Sequence, residues 1–191
     1  MTEEQKYVVD KTFPEFEIRR YEACVLADVT VSADFQSAGS IAFRSLIGYI
    51  SGSNEPNKKI AMTSPVIQES DSSPSSIKIA MTSPVIQEAS RNSQVVSFVM
   101  PAGMTLGEMP LPTNAKVSLR QLPEQLVAVS RFTGRWTEAA YDRQLAQLKQ
   151  QLNVSGFTET GSPRFARFDP PWTPWFMRRN EIQIPIEKLT Q

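Results

Sequence analysis

The sequence has no histidine and a single cysteine among its 191 residues. Without histidine there can be no Ser-His-Asp triad, no Cys-His dyad, no HExxH zinc site and no imidazole ligand to any metal. One cysteine, Cys24, rules out both a CxxC pair and an intramolecular disulfide. The chemistry left to this chain is that of carboxylates, amines, hydroxyls and apolar surfaces.

The sequence also has no excess of basic or of acidic residues. Lys and Arg number 20 and Asp and Glu number 20, so the formal net charge is +0. This balance disfavours nucleic acid and anionic membranes as partners, because both attract basic surfaces. The polar start, Met1 to Lys6, lacks the pattern of a signal peptide, and no apolar run reaches the roughly 18 residues of a membrane span. We therefore expect a cytoplasmic protein without a membrane span.

Length and composition predict one globular domain. A hydrophobic fraction of 40% is ordinary for a folded core, and 191 residues fit one domain better than two. We place a polar lead-in at 1–12 and a single domain at 13–191. The sequence does not indicate an oligomeric state.

The first half of the domain changes period near residue 33. Residues 15–21 alternate apolar and polar and 23–31 are rich in β-branched residues, which predicts two strands paired as a hairpin around Glu22. Residues 34–50 then follow a helical period, with Asp34 placed as the N-cap. The apolar arc of this helix is unusually wide for one that covers a single sheet face.

The second half repeats this order. Its pattern predicts strands, one helix and further strands at 95–100, 116–121, 125–132, 137–152 (the helix), 163–168 and 179–186. We interpret the chain as two β-α-β-β halves. The predicted fold class is α+β, with a distorted antiparallel barrel or sheet of two pseudo-symmetric repeats flanked by two helices.

An 11-residue segment, KIAMTSPVIQE, occurs twice, at 59–69 and at 78–88, with eight residues between the copies. The linker predicts a long hairpin loop. Because Pro65 and Pro84 lack an amide hydrogen, each copy must bulge, bend or follow a sheet edge there. One interpretation is a kinked strand beside a pocket. The other is a tandem duplication with no function of its own, which is favoured because bulges are more often structural than catalytic.

Several motifs in a fixed order resemble one protein family. They are KIAMTSPV at 59–66 and 78–85, YISGSN at 49–54, FVMP at 98–101, FTGRW at 132–136, and the block from Arg167 to Glu181. Together they resemble the SOUL haem-binding protein family, over about residues 6–186. The resemblance implies a distorted antiparallel β-barrel with two helices. It also implies the binding of haem or a related tetrapyrrole.

The resemblance implies a site between the outer face of the first helix and the loop 169–177. A porphyrin needs flat apolar walls and a cation near each propionate. On the helix, Phe43 and Ile47 would supply walls and Arg44 would pair with a propionate. The implied residues of the loop are Trp172, Trp175 and Phe176.

Without histidine, haem iron would face solvent or take a weak ligand such as Met62 or Met81. The other interpretation of these methionines is that they fill the core. For Cys24 the alternatives are a thiolate ligand to haem iron and an inert buried thiol, and the second is the more usual for a buried cysteine. Two alternatives also apply to the segment with Arg178, Arg179 and Glu181. It either binds an anion or forms an internal ion-pair network.

Three functions follow from these features. The first is a non-enzymatic carrier or buffer that holds haem or another tetrapyrrole in an apolar groove. The second is an effector-binding module for other small apolar or cationic ligands, whose cleft would be rich in Glu and Trp. The third is a tetrapyrrole-modifying enzyme, for which the sequence offers no acid and base pair of recognisable spacing.

Overall fold

The fold is a curled antiparallel half-barrel sheet flanked by two helices, as the fold class predicted. The computed structural model describes residues 3–56, 58–70, 93–169 and 172–189. The strands are β1 Glu3–Glu4, β2 Tyr7–Thr12, β3 Glu17–Tyr21, β4 Cys24–Ser32, β5 Asn54–Glu55, β6 Thr63–Ser64, β7 Val66–Ser70, β8 Ser93–Val99, β9 Leu111–Pro112, β10 Val117–Leu122, β11 Gln125–Thr133, β12 Phe157–Glu159, β13 Arg164–Arg167 and β14 Arg179–Lys188. The helices are α1 Phe35–Ile50 and α2 Glu138–Asn153, with short 3₁₀ turns at Leu106–Glu108 and Trp175–Met177.

The main sheet runs in the order β10, β4, β8, β7, β13, β14, β11, β3, β2, with β12 also paired to β14. Two small ladders join β1 to β6 and β5 to β9. Residues 7–12, assigned above to the lead-in, thus form the edge strand β2. In the main sheet, β2, β3 and β4 precede α1 and β7 and β8 follow it, whereas β10 and β11 precede α2 and β12, β13 and β14 follow it. An internal repeat relating the halves stays a prediction.

Both helices lie where the sequence predicts, because caps and apolar stripes are local signals. The carboxylate of Asp34 accepts hydrogen bonds from the amides of Gln36 and Ser37 at 2.9 Å and so begins α1. The hydroxyl of Thr137 accepts from the amide of Ala140 at 3.3 Å and begins α2. Among the described residues, no helix is long and apolar enough to cross a membrane.

The predicted hairpin around Glu22 is wrong, although both of its strands are present. Only Glu22 and Ala23 separate β3 from β4, yet β3 pairs with β2 and β11, and β4 pairs with β10 and β8. Each strand has both edges filled by other strands, so the two cannot pair with each other. The chain instead crosses from one end of the sheet to the other at this point.

The two faces of the sheet differ in what they bury. On one face α1 packs over β4, β8 and β10, and α2 packs over β11, β12 and β14. The opposite face carries a buried ion network centred on Glu181, which has no exposed surface. Its carboxylate lies 3.1 Å from Arg19 Nη1 and 2.9 Å from Arg179 Nη2. The internal network that the sequence offered as one alternative is therefore confirmed for Arg179 and Glu181.

Replacing Glu181 should destabilise the fold strongly. Glu181→Ala leaves the buried Arg19 and the half-buried Arg179 without this partner, so we expect the free energy of unfolding in urea to fall by about 3 kcal/mol. The control is Glu124→Ala, which removes an exposed partner of Arg20 at 3.4 Å and should cost less than about 1 kcal/mol. Equal losses from the two variants would show that the buried network does not hold the sheet together.

Candidate functional site

The helix residues implied by the resemblance lie on the outer surface of α1. Phe43 is 41% exposed, and its ring meets Phe98 of β8 edge-on, with 5.6 Å between centroids. Ile47, one turn further along, is half-buried against the core beneath α1, and Arg44 is exposed. An exposed phenylalanine beside a half-buried isoleucine gives the helix a partly apolar outer surface, which explains the wide apolar arc of its sequence.

The loop residues implied by the resemblance are exposed as well. Trp172 is 82% exposed, Trp175 50% and Phe176 59%. The rings of Trp175 and Phe176 are perpendicular, with centroids 5.7 Å apart. Large aromatic side chains left exposed together commonly mark a binding surface in a soluble domain.

Two hydrogen bonds fix the course of this loop. Arg178 Nε donates to the carbonyl of Thr173 at 2.7 Å, and the amide of Arg179 donates to the carboxylate of Asp169 at 2.6 Å. The aromatic rings therefore stand on an anchored segment just before the long strand β14.

A cluster of aromatic and arginine side chains lies next to this loop. The guanidinium carbon of Arg178 is 4.2 Å from the centroid of the Trp136 ring, and that of Arg167 is 5.1 Å from the same ring. Arg167 also lies 5.0 Å from Phe165 and 5.6 Å from Phe35. We call these five residues (Phe35, Trp136, Phe165, Arg167 and Arg178) the arginine-aromatic cluster. Both distances to Trp136 are typical of cation–π contacts.

Helix α1 contributes Phe35 to this cluster and also contacts it at Gly39. A Cβ atom at Gly39 would stand 2.6 Å from Arg167 Nη1, so the absence of a side chain there lets the guanidinium lie against the helix. Gly39 and Phe43 are four residues apart and share one face of the helix. On the other side, the guanidinium of Arg135 lies 5.4 Å from the ring of Trp175. The cluster thus connects the helix to the loop, while no direct contact joins Phe43 to Trp175 in the described structure.

The cluster holds one largely buried cation, Arg167. Burial, with a smaller effect from the nearby Arg178, lowers the pKa of Arg167 to about 10. Arg167 Nη2 donates to Gln68 Oε1 at 2.8 Å, but its buried Nε has no hydrogen-bond partner in the described part of the chain. No described carboxylate lies within ion-pair distance of Arg167. A buried cation without an anion attracts one from solution, so this geometry suits a ligand with a carboxylate or another anionic group.

Only one of the two predicted iron ligands, Met62, lies among the described residues. Met62 is 38% exposed and precedes β6, which pairs with β1, and no described contact connects it to Phe43 or to the loop. Met81 lies outside the described residues. Cys24 is buried among apolar side chains, and this burial raises the pKa of its thiol to about 11, so it stays protonated near neutrality. The described residues contain no group of three His, Cys, Asp or Glu side chains that could hold a metal ion.

Sequence reasoning gave no role to Gly39, Trp136 or Arg167. A signal was present, because Trp136 and Arg167 belong to two of the motifs quoted for the resemblance. What the motifs could not show is that Arg167 meets both Gly39 and Trp136, which are distant in the chain.

The comparisons identify the family. The model of the SOUL heme-binding protein family matches residues 2–76 and 67–185, so the chain belongs to this family. The two matches overlap at 67–76, which includes the end of the first repeated segment and most of the linker after it. Among curated proteins, none matches the chain.

Solved structures share the fold at low identity. The C-terminal domain of EcmrR is 14% identical with a TM-score of 0.62, covering 91% of this chain and 98% of that one. The EcmrR chain in its DNA complex gives 14% identity and a TM-score of 0.61, and the match spans 57% of that longer chain and 91% of this one. A hydrolase from Listeria innocua is 10% identical with a TM-score of 0.58, covering 91% of this chain and 92% of that one. At these identities the likeness shows the fold alone.

Neutralising Arg167 should not weaken the fold. Because the folded state lowers the pKa of this group, its charge opposes folding at every pH below about 10, and this cost is relieved only as the pH rises through that value. We expect Arg167→Met to leave the free energy of unfolding at pH 7 within about 1 kcal/mol of the parent, or to raise it.

Urea unfolding measures this effect, and Arg131→Met, at an exposed arginine of β11, is the control. A clear loss of stability in Arg167→Met alone would show that the arginine is held for structure, through Gln68 and the rings.

Proposed function

We propose that this protein binds haem or a related tetrapyrrole without transforming it, on the surface between the outer face of α1 and residues 172–177. The observation that carries the proposal is the largely buried Arg167, which has no carboxylate partner among the described residues and lies between two exposed aromatic regions, around Phe43 and around Trp175. Family membership supports the ligand class. A carrier or buffer needs no catalytic group, and none is required here.

The chemistry of the surface suits a porphyrin. Phe43, Trp175 and Phe176 would contact the flat apolar macrocycle, and offset or edge contacts between aromatic rings add to the free energy of burial. Arg167 and Arg178 would attract the propionates, whose carboxylates prefer guanidinium partners. The exposed Arg44 is a further candidate for the second propionate.

Haem would bring an iron that can take one ligand on each side of the ring. The proposed contacts are with the ring and its carboxylates, and they need no iron ligand, although the exposed Met177 lies in the same segment. Metal-free protoporphyrin should therefore bind about as tightly as haemin. Ligation by Met62 stays a prediction, and Met81 lies outside the described residues.

Charge separates this proposal from the effector-binding alternative. Small lipophilic cations would be repelled by the charge of Arg167, which has no carboxylate partner among the described residues. The face opposite the helices offers them little open space where it is described, since Arg19, Glu181 and Gln183 are each at least nine-tenths buried. An enzymatic role would appear in the same titration as a time-dependent change in the porphyrin spectrum, and a carrier leaves the spectrum constant after binding.

Replacing the exposed rings should weaken porphyrin binding without unfolding the protein. We expect Phe43→Asp and Trp175→Ala each to raise the Kd for protoporphyrin by about tenfold, which corresponds to about 1.4 kcal/mol. The Soret band and the quenching of tryptophan fluorescence report binding.

The matched control is Ile41→Asp, which puts the same charge at a residue of α1 that is 54% exposed and points to a different side of the helix from Phe43. Unchanged affinity in both test variants, or an equal loss in the control, would contradict the proposed surface.

A further inference from the structure

One position in the sheet is filled by the first copy of the repeated segment, residues 59–69. The amide of Ile60 donates to the carbonyl of Ile50 at 2.7 Å and brings the segment to the end of α1. Further along the segment, β7 lies between β8 and β13 and pairs with both. Ile67 in this strand is 1% exposed. The sheet therefore has a single, well-defined place for this sequence.

The polar side chains of the first copy are held as specifically as its backbone. Gln68 Nε2 donates to the carbonyl of Phe35 at 3.0 Å, and its Oε1 accepts from Arg167 at 2.8 Å. The carboxylate of Glu69 lies 2.7 Å from Arg120 and 3.5 Å from Arg164. These contacts require glutamine followed by glutamate at fixed positions of the strand.

The second copy, 78–88, offers every one of these side chains again. Ile79, Ile86, Gln87 and Glu88 stand at the places of Ile60, Ile67, Gln68 and Glu69, nineteen residues later. The only change within β7 is its last residue, where Ala89 would replace the exposed Ser70. The contacts described for the first copy therefore cannot distinguish it from the second.

The connections of the chain allow either copy to take this position. With the first copy in the sheet, residues 71–92 connect β7 to β8. With the second copy there, Ser90, Arg91 and Asn92 would make the connection, and three residues are a common length for a β-hairpin loop. The surplus residues would move to the connection that precedes β7. Since the entropy of closing a loop depends only on the logarithm of its length, this transfer changes the free energy little.

We propose that the two copies are alternative occupants of one position in the sheet, so that the protein exists as two strand-exchanged forms of the same fold. In one form Gln68 holds Arg167, and in the other Gln87 does. The surplus residues lie after β7 in the first form and before it in the second. The duplication thereby gives the chain two segments that can each form the same strand of the sheet.

The test compares variants of the two copies singly and together. An aspartate at the position of Ile67 would be buried in an apolar cluster and should exclude that copy from the sheet. We expect Ile67→Asp and Ile86→Asp each to stay folded with nearly the parental melting temperature. If the two forms are equally populated, losing one lowers the folding equilibrium constant by about twofold. The double variant has no intact strand to place and should lose its cooperative unfolding transition.

A milder pair, Ile67→Ala and Ile86→Ala, gives a measurable result if the double aspartate variant fails to fold. Exchange predicts that the double alanine variant melts well below both single variants, by more than the sum of their separate shifts. The proposal is overturned if either single variant is as unstable as its double variant, because one copy would then be the sole occupant. Additive shifts in the alanine pair would overturn it as well.

Discussion

The buried guanidinium of Arg167 connects the parts of the molecule that form the candidate site. The side chain extends from β13, and its guanidinium donates a hydrogen bond to Gln68 of β7. The same group lies against Gly39 of α1 and faces the ring of Trp136, just before α2. These contacts place the outer face of α1 next to the loop that carries Trp175. Burial of an arginine without a carboxylate is costly, and a fold that needed only packing would be served as well by an apolar side chain. The cost of burying this charge is explained if Arg167 binds an anionic group of a ligand.

Strand alternation gives the neighbouring arginines 178 and 179 different tasks. Successive side chains along a strand point to opposite faces of the sheet. Arg179 shares a face with Glu181 and belongs to the buried ion network, whereas Arg178 stacks on Trp136 on the helix side. One arginine thus stabilises the sheet and the other contributes to the surface. Of the two alternatives considered for this segment, the ion-pair network holds for Arg179 and Glu181, and an anion site at Arg178 stays a prediction.

Local signals allowed both helices and most strands to be predicted, because caps and periodicity depend on neighbours in the chain. Strand partners were not predictable in this way. Only two residues separate β3 from β4, yet each of these strands pairs with a strand from the other half. Such a pairing is decided by the arrangement of the whole sheet.

The candidate site was likewise predictable only in part. Phe43 and Trp175 followed from the family resemblance, but the role of Arg167 depends on contacts with Gly39 and Gln68, far away in sequence.

The most direct test of the account is an NMR titration of the tryptophan indole groups with metal-free protoporphyrin. The chain has three tryptophans, and Trp136, Trp172 and Trp175 all lie in or beside the proposed surface. A bound macrocycle should shift the indole signals of Trp172 and Trp175 strongly and saturably. The signal of Trp136 should move less, since its Nε1 donates to Asn180 at 2.8 Å and its ring is covered by arginines. Saturable binding that left all three signals in place would contradict the account, because the porphyrin would then bind elsewhere.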